Sequence, residues 1–188
     1  GGDYFDYFGT ASGAIALCLA DVSGKGISAA LLMANLQASI RALSLVEATV
    51  GRRLSIANQL LYDSTDSDKF VTLFYGLLDP VRHELDYSNA GHNPPLIVSA
   101  DGSVRRLDVG GPVLAVVPGY EYRQERIRLA IGDLLLIYSD GFSEASNAAF
   151  EEFGEERLLE LAVAHRGDPA EALIERIGAE VERFRGEA

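Results

Sequence analysis

The chain has 188 residues, of which 48% are hydrophobic, and this predicts a single domain with one sizeable core. Its formal net charge of -12 argues against nucleic acid and anionic membranes as partners, because they carry charge of the same sign. A phosphorylated substrate would be repelled as well, so a site that handles phosphate here needs local cations such as metal ions.

The single cysteine, Cys18, lies in an apolar run over residues 14–20, so no disulfide can form within the chain. We interpret Cys18 as a small buried side chain and expect a reducing, cytoplasmic location. The sequence has no run of eighteen apolar residues and no signal peptide, so we expect no membrane insertion of this domain. Because the chain starts at Gly1 and not at Met, we expect it to be part of a longer protein.

The first part of the chain predicts a buried strand followed by two helices. Residues 14–20 are short and apolar and stop at Asp21, as a buried strand does. Residues 27–45 are rich in Ala and Leu and carry Arg41 as their only charge, which predicts a helix that is apolar on nearly every side. Such a helix is either deeply buried or packed against a partner. A second helix is predicted over residues 51–62.

The rest of the chain predicts short strands and then two helices. The strands are expected over residues 70–78, 84–88, 95–99, 104–107, 122–129 and 134–138. One helix is expected over residues 155–165, and another opens with Asp168 as its N-cap and Pro169 as its first residue. This order indicates an α+β layered domain with a largely antiparallel sheet over residues 1–188.

Three aspartates lie beside glycine turns: Asp3 follows Gly1-Gly2, and Asp21 and Asp140 follow predicted strands and precede turns with glycine. Hard divalent cations prefer oxygen ligands, so two or three converging carboxylates would hold Mg²⁺ or Mn²⁺. No cluster of Cys and His residues suggests zinc. Taken singly, each aspartate is equally typical of an ordinary turn, and the set carries the prediction.

Four motifs carry a resemblance to a known family. They are Gly1-Gly2-Asp3-Tyr4-Phe5-Asp6, Asp21-Val22-Ser23-Gly24-Lys25-Gly26, Asn89-Ala90-Gly91-His92-Asn93-Pro94-Pro95 and Tyr138-Ser139-Asp140-Gly141-Phe142-Ser143-Glu144. In this order, and over the whole chain, they resemble the bacterial PPM (PP2C-like) serine/threonine phosphatases of the SpoIIE/RsbU type. The resemblance implies an αββα sandwich with a site for two metal ions, Mn²⁺ or Mg²⁺.

The resemblance also implies roles for individual residues. Asp21 matches the acid that bridges both metals and orients the attacking water, and Val22 matches a ligand that acts through its backbone carbonyl. Asp3 matches a ligand of one metal and Asp140 a ligand of the other. The implied reaction is direct attack on phosphorus by a metal-activated water, without a phosphoenzyme.

Three further residues are candidates for contacting phosphate or supporting the ligands: Gly24, Lys25 and Gly141. The proton donor to the leaving group stays unassigned, because Lys25 stands in the turn where eukaryotic relatives place a histidine. We interpret His92 as a residue that pins a turn by hydrogen bonds, and not as a catalytic group.

The apolar helix that follows the acidic turn is a candidate regulatory element. By resemblance it controls the geometry of the metal site and forms dimer or partner contacts, through Ile27, Leu31, Leu36 and Arg41. We place Leu36 on its exposed side, so Leu36→Lys is expected to change activity or association state.

The family has a first strand and a C-terminal strand with an Asp-Asp-x-Thr motif that supplies one more acid; we expect these segments either to lie outside the 188 residues or to be lacking in the protein. A pseudophosphatase that binds a partner without hydrolysis is therefore the alternative. Two other classes fail on their motifs. Tyr4 interrupts a diguanylate-cyclase signature, and Leu19 and Gly26 stand at obligatory positions of a P-loop.

By resemblance, the substrate is a phosphorylated anti-sigma-factor antagonist, a STAS-domain protein of a partner-switching pathway in stress signalling. An upstream sensor domain is expected in the full protein, and a homodimer is possible through the apolar helix.

Overall fold

A computed structural model describes residues 2–46, 49–65 and 68–186 of the chain. The strands are, in chain order, β1 Asp3–Gly9, β2 Ile15–Val22, β3 Val71–Asp79, β4 Glu84–Ala90, β5 Leu96–Val98, β6 Val104–Arg106, β7 Gly110–Gly111, β8 Glu125–Arg128 and β9 Leu134–Leu136. The helices are α1 Ile27–Val46, α2 Val50–Ser64, α3 Asp140–Ser143, α4 Gly154–Ala164 and α5 Ala170–Arg185. Residues 1–94 and 107–129 form one compact unit, called the first unit below, and residues 95–106 and 130–188 form the second unit.

The first unit contains a six-stranded sheet in the order β1-β2-β3-β4-β7, with β8 paired to β4 as well. Strands β1 to β4 are antiparallel neighbours, and β7 runs parallel to β4. The sequence pattern predicts β2, β3, β4 and β8 but misses β1. Its residues alternate between the core and solvent, with Tyr4 buried and Phe5 exposed, but aspartates on both faces interrupt the hydrophobic pattern.

Helices α1 and α2 cover one face of this sheet. Every second residue of β2 is buried against them, because successive side chains of a strand point to opposite faces. The largest helical contributions come from Leu36 and Ile40 of α1 and from Leu54 and Leu61 of α2, all fully buried. The placement of Leu36 on the exposed side of α1 is therefore wrong.

The reason lies in the composition of α1. An apolar stripe defines the buried face of a helix only when the opposite face is polar, and α1 is apolar almost all round. The exposed side of α1 contains Ile27, which is 82% exposed, and Leu31, which is 66% exposed. Among the described residues, α1 is also the one helix long and apolar enough to cross a membrane by length and composition. Ala29, Leu32, Leu36, Ile40 and Leu43 of α1 pack in the core of the first unit, which accounts for part of that composition.

The second unit combines a three-stranded antiparallel sheet, in the order β6-β5-β9, with α3, α4 and α5. Its core joins the strands to α4 and α5 through a cluster that includes Leu96, Tyr138, Phe153, Leu158, Leu173, Ile177 and Val181.

The predicted start of α5 is wrong by one residue. Pro169 is the N-cap, and the helix begins at Ala170. Asp168 instead faces His165 at 3.2 Å and Arg176 at 3.6 Å. The predicted stop is confirmed, since Gly186 is the C-cap with a φ of 75°.

Candidate metal centre

Two of the predicted aspartates face each other across neighbouring strands of the first unit. Asp21, near the end of β2, pairs in register with Asp3 at the start of β1. Their carboxylate oxygens come within 4.8 Å of each other, with Asp3 exposed and Asp21 half-buried. Two negative charges at this distance repel, and a bound cation offsets that repulsion. The geometry therefore suits an accessible cation site.

The absence of a side chain at Gly2 allows its backbone to lie against Val22 and Asp21. The amide of Val22 donates a hydrogen bond to the carbonyl of Gly2 at 3.3 Å, so the two backbones lie close together. A β-carbon at Gly2 would come 2.5 Å from the Val22 carbonyl oxygen and 2.8 Å from Asp21 Oδ1. A side chain at this position would therefore collide with the Asp21 carboxylate and the Val22 carbonyl. Carboxylate and carbonyl oxygens are the ligands that hard cations such as Mg²⁺ and Mn²⁺ prefer.

The turn after Asp21 is fixed to strand β3. Ser23 and Phe70 exchange two hydrogen bonds, from the Ser23 amide to the Phe70 carbonyl at 3.0 Å and from the Phe70 amide to Ser23 Oγ at 2.8 Å. Gly24 and Gly26 have φ values of 91° and 81°, a region that favours glycine. Together with Gly2 and Asp21, this turn lines a cleft of about 580 Å³.

The cations near this cleft are lysines. Lys25 is exposed on the turn, at the edge of the cleft. Sequence analysis did not single out Lys69, whose ammonium group lies 3.4 Å from the position that a β-carbon of Gly24 would occupy. Lys69 also pairs with Asp68 at 3.1 Å. Only the fold brings Lys69 next to the glycine turn, so spacing along the chain gave no signal for it.

Arg41 connects the candidate regulatory helix to the strand that carries Asp3. Its guanidinium donates two hydrogen bonds to Asp6 of β1, both at 2.8 Å, and lies 4.7 Å above the ring of Phe8. Partial burial raises the pKa of Asp6, but hydrogen bonds from Arg41 and Tyr4 outweigh it, so that pKa lies below its ordinary value. Arg41 thus clamps α1 onto β1.

His92 pins a turn, as predicted. Its backbone amide donates to Asn89 Oδ1 at 2.8 Å, and Asn89 Nδ2 donates back to the His92 carbonyl at 3.0 Å. Both residues are buried.

Cys18 is buried as well, and its burial raises the pKa of the thiol to about 12. A thiol in this environment stays protonated and inert, which confirms its interpretation as a packing residue.

Asp140 belongs to the second unit, where it is the first residue of α3 and follows β9. It is half-buried, and its carbonyl accepts a hydrogen bond from the amide of Glu144 at 2.7 Å. A β-carbon on the next residue, Gly141, would approach Ser139 Oγ at 3.6 Å, an ordinary contact distance. The role of Asp140 as a metal ligand stays a prediction.

Comparison with known proteins identifies relatives over most of the chain. Residues 11–188 match the family described as Stage II sporulation protein E (SpoIIE). Phosphoserine phosphatase RsbU of Bacillus subtilis is 30% identical over 179 residues, which cover 94% of this chain and 52% of that protein. Protein IcfG of Synechocystis is 26% identical over 200 residues, which cover 92% of this chain and 31% of that protein. The chain thus spans about half, or less, of the curated relatives that it matches.

Solved structures give the same result for the fold. The RsbU and RsbW domains of Rv1364c from Mycobacterium tuberculosis have a TM-score of 0.83 and 29% identity, covering 97% of this chain and 52% of that one. The SiaA-PP2C domain of Pseudomonas aeruginosa has a TM-score of 0.84 and 22% identity, covering 100% of this chain and 75% of that one.

Proposed function

The chain belongs to the SpoIIE family and has an α+β, PP2C-like fold, and we propose that it hydrolyses phosphoserine or phosphothreonine on a protein with the help of metal ions. Two relatives, RsbU and RsbP of Bacillus subtilis, are named phosphoserine phosphatases. The observation that carries the proposal is the pairing of Asp3 with Asp21, together with the close approach of the Gly2 backbone to Asp21 and the Val22 carbonyl.

The residues of the first unit are suited to hold the cation and to leave room for phosphate. Asp3 and Asp21 contribute charged oxygens from two strands that pair in register, so both backbones are fixed before any ion binds. When bound, Mg²⁺ or Mn²⁺ supplies a Lewis acid that activates water and neutralises phosphoryl charge. By the resemblance, Asp21 would be the ligand common to both ions, Asp3 and the Val22 carbonyl would be ligands of one, and Asp140 would be a ligand of the other.

The turn after Asp21 is suited to receive the phosphate group. Gly24 has no side chain to obstruct the approach, and exposed Lys25 is free to move toward a negatively charged ligand. In a chain with a net charge of -12, this local cation opposes the general repulsion of phosphate. We assign Gly141 to keep the approach to Asp140 open.

We propose a phosphorylated STAS-domain antagonist of an anti-sigma factor as the substrate, within a partner-switching pathway of the cytoplasm. The names of RsbU and RsbP support a phosphoserine substrate, and the resemblance to the SpoIIE/RsbU type supports the protein class. We also propose that a sensor domain in the full protein acts through α1. The exposed side chains of Ile27 and Leu31 make α1 a candidate surface for a partner or a second copy.

The decisive experiment compares wild type with Asp21→Asn in Mn²⁺-dependent hydrolysis of a phosphoserine protein. We expect Asp21→Asn to lower kcat by about a hundredfold or more, because a neutral amide replaces a charged ligand. Asp108→Asn, which neutralises an exposed acid of the same unit, is the control and should hydrolyse at the wild-type rate. Equal rates for wild type and Asp21→Asn would remove Asp21 from the mechanism. If the wild type binds Mn²⁺ without hydrolysis, the alternative of a non-catalytic binding module is favoured.

A further inference from the structure

Asp21 is also held from its other side, by strand β3. Asp21 pairs in register with Thr72 in the antiparallel ladder, and its backbone amide also donates a hydrogen bond to Thr72 Oγ1 at 3.3 Å. The bond therefore ends on a side-chain hydroxyl, which has a proton of its own to donate further.

That hydroxyl contacts a buried imidazole. Thr72 Oγ1 lies 2.8 Å from Nδ1 of His92, which is 5% exposed. The Thr72 hydroxyl can accept a hydrogen bond from the Asp21 amide and donate its own proton to Nδ1. In that arrangement the amide donates, the hydroxyl does both and the imidazole nitrogen accepts. Hydrogen bonds in such a chain polarise and strengthen one another, most of all away from water.

The imidazole is itself held in place by Asn89. The Asn89 side chain makes hydrogen bonds to both the amide and the carbonyl of His92, and it also donates to the Leu107 carbonyl at 3.1 Å. Asn89 is 4% exposed. The hydrogen bonds from the Asp21 amide through the Thr72 hydroxyl to the His92 imidazole form a chain, called the relay below. This relay ends in the buried part of the sheet.

We propose that Thr72 and His92 are positioning residues, which fix the backbone of Asp21 and thereby aim its carboxylate at the metal. This inference rests on the proposed function, since it assumes that Asp21 is a metal ligand. It assigns His92 a task beyond pinning its own turn. Residues that hold a metal ligand in place typically contribute about tenfold to a hundredfold to metal affinity.

Two pairs of variants test the relay. Thr72→Val keeps the branched shape but loses the hydroxyl, whereas Thr72→Ser keeps the hydroxyl. His92→Leu removes the acceptor, whereas His92→Asn keeps an oxygen near the position of Nδ1. We expect Thr72→Val and His92→Leu to weaken Mn²⁺ binding by about tenfold in calorimetric titration. Thr72→Ser and His92→Asn should stay within about threefold of wild type.

A second measurement does not depend on the metal. Hydrogen exchange of the Asp21 amide, followed by NMR in the metal-free protein, should be about tenfold faster in Thr72→Val than in Thr72→Ser. Equal exchange rates and equal Mn²⁺ affinities in these two variants would overturn the relay while leaving the proposed function intact. If wild type and Asp21→Asn bind Mn²⁺ equally, the proposed function fails and the positioning role fails with it. Should Thr72→Val not fold, equal exchange rates in His92→Leu and His92→Asn overturn the relay.

Discussion

Asp21 and Asp140 occupy similar places in the sequence, but the two units support them differently. Asp21 lies on β2, an eight-residue strand that is paired along its length with β1 on one side and β3 on the other. Asp140 follows β9, a three-residue strand that pairs with β5, and begins a helix of four residues. A ligand on an inner strand has its backbone fixed by two neighbours. A ligand at a short strand-to-helix junction depends on local turns and on the packing around them.

The largest effect is expected from a substitution in the buried face of α1, the helix that packs against the sheet carrying Asp21. Leu36→Lys places a charge at a fully buried position of α1, and we expect it to destabilise the domain by about 4 kcal/mol or more. Leu31→Lys on the exposed side of the same helix is the matched control, with an expected change within about 0.5 kcal/mol. The free energy of unfolding from urea titrations measures both.

The outcome of this pair also separates stability from regulation. Similar stabilities for the two variants would mean that the buried face of α1 is assigned wrongly. Because Leu31→Lys is expected to leave the fold intact, its association state and activity report on the exposed face alone. That makes Leu31→Lys, and not Leu36→Lys, the appropriate test of α1 as a regulatory surface.

The second prediction compares alanine substitutions at two glycines, Gly2 near Asp21 and Gly141 next to Asp140. In Gly2→Ala the new β-carbon collides with the Val22 carbonyl and with Asp21 Oδ1, at 2.5 and 2.8 Å. We expect it to weaken Mn²⁺ binding by about tenfold or more in calorimetric titration. In Gly141→Ala the corresponding contact is an ordinary 3.6 Å to Ser139 Oγ, so we expect a change below about threefold. If Gly141→Ala weakened Mn²⁺ binding more than Gly2→Ala, the surroundings of Asp140 would tolerate an added methyl group less well than those of Asp21.

Most elements of the fold could be predicted from the sequence, but strands β1 and β7 and helix α3 could not. Helix α1 and strand β3 have enough residues for their hydrophobic patterns to be recognised. Strand β7 has two residues and α3 has four, which is too short for any periodicity. Helix α5 starts one residue later than predicted. Pro169 has a φ of -54°, which suits a first helical residue, but it stands at the N-cap.

The candidate site likewise contains some residues that the sequence reveals and others that only the fold reveals. Resemblance identified Asp3 and Asp21, but their direct pairing depends on β1, which the sequence pattern did not predict. Thr72 could be found only from the register of β2 with β3, because threonine in a strand is otherwise unremarkable. Sequence motifs therefore pointed to the candidate ligands, whereas the residues proposed to position them became visible only in the sheet.

The smallest expected effect concerns a charged cluster near the junction that carries Asp140. Tyr138 donates a hydrogen bond to Glu155 Oε2 at 2.8 Å, and Arg106 donates to Oε1 of the same carboxylate. Partial burial raises the pKa of Glu155, but the bonds from Tyr138 and Arg106 outweigh it, so that pKa lies below its ordinary value. The folded state therefore favours the ionised form of Glu155 more strongly than the unfolded state does.

The sign of the pH effect follows from that depressed pKa. The contribution of Glu155 to stability is present above its unfolded pKa of about 4.3 and is lost as the pH falls through its lower folded pKa. We expect Glu155→Gln to cost about 0.5 kcal/mol at pH 7, because the cluster is partly exposed and screened, and almost nothing near pH 3. Urea titrations across this range measure the difference, with exposed Glu156→Gln as the control. A deficit that stays the same at every pH would assign Glu155 a packing role, and the junction before Asp140 would then depend on shape and not on charge.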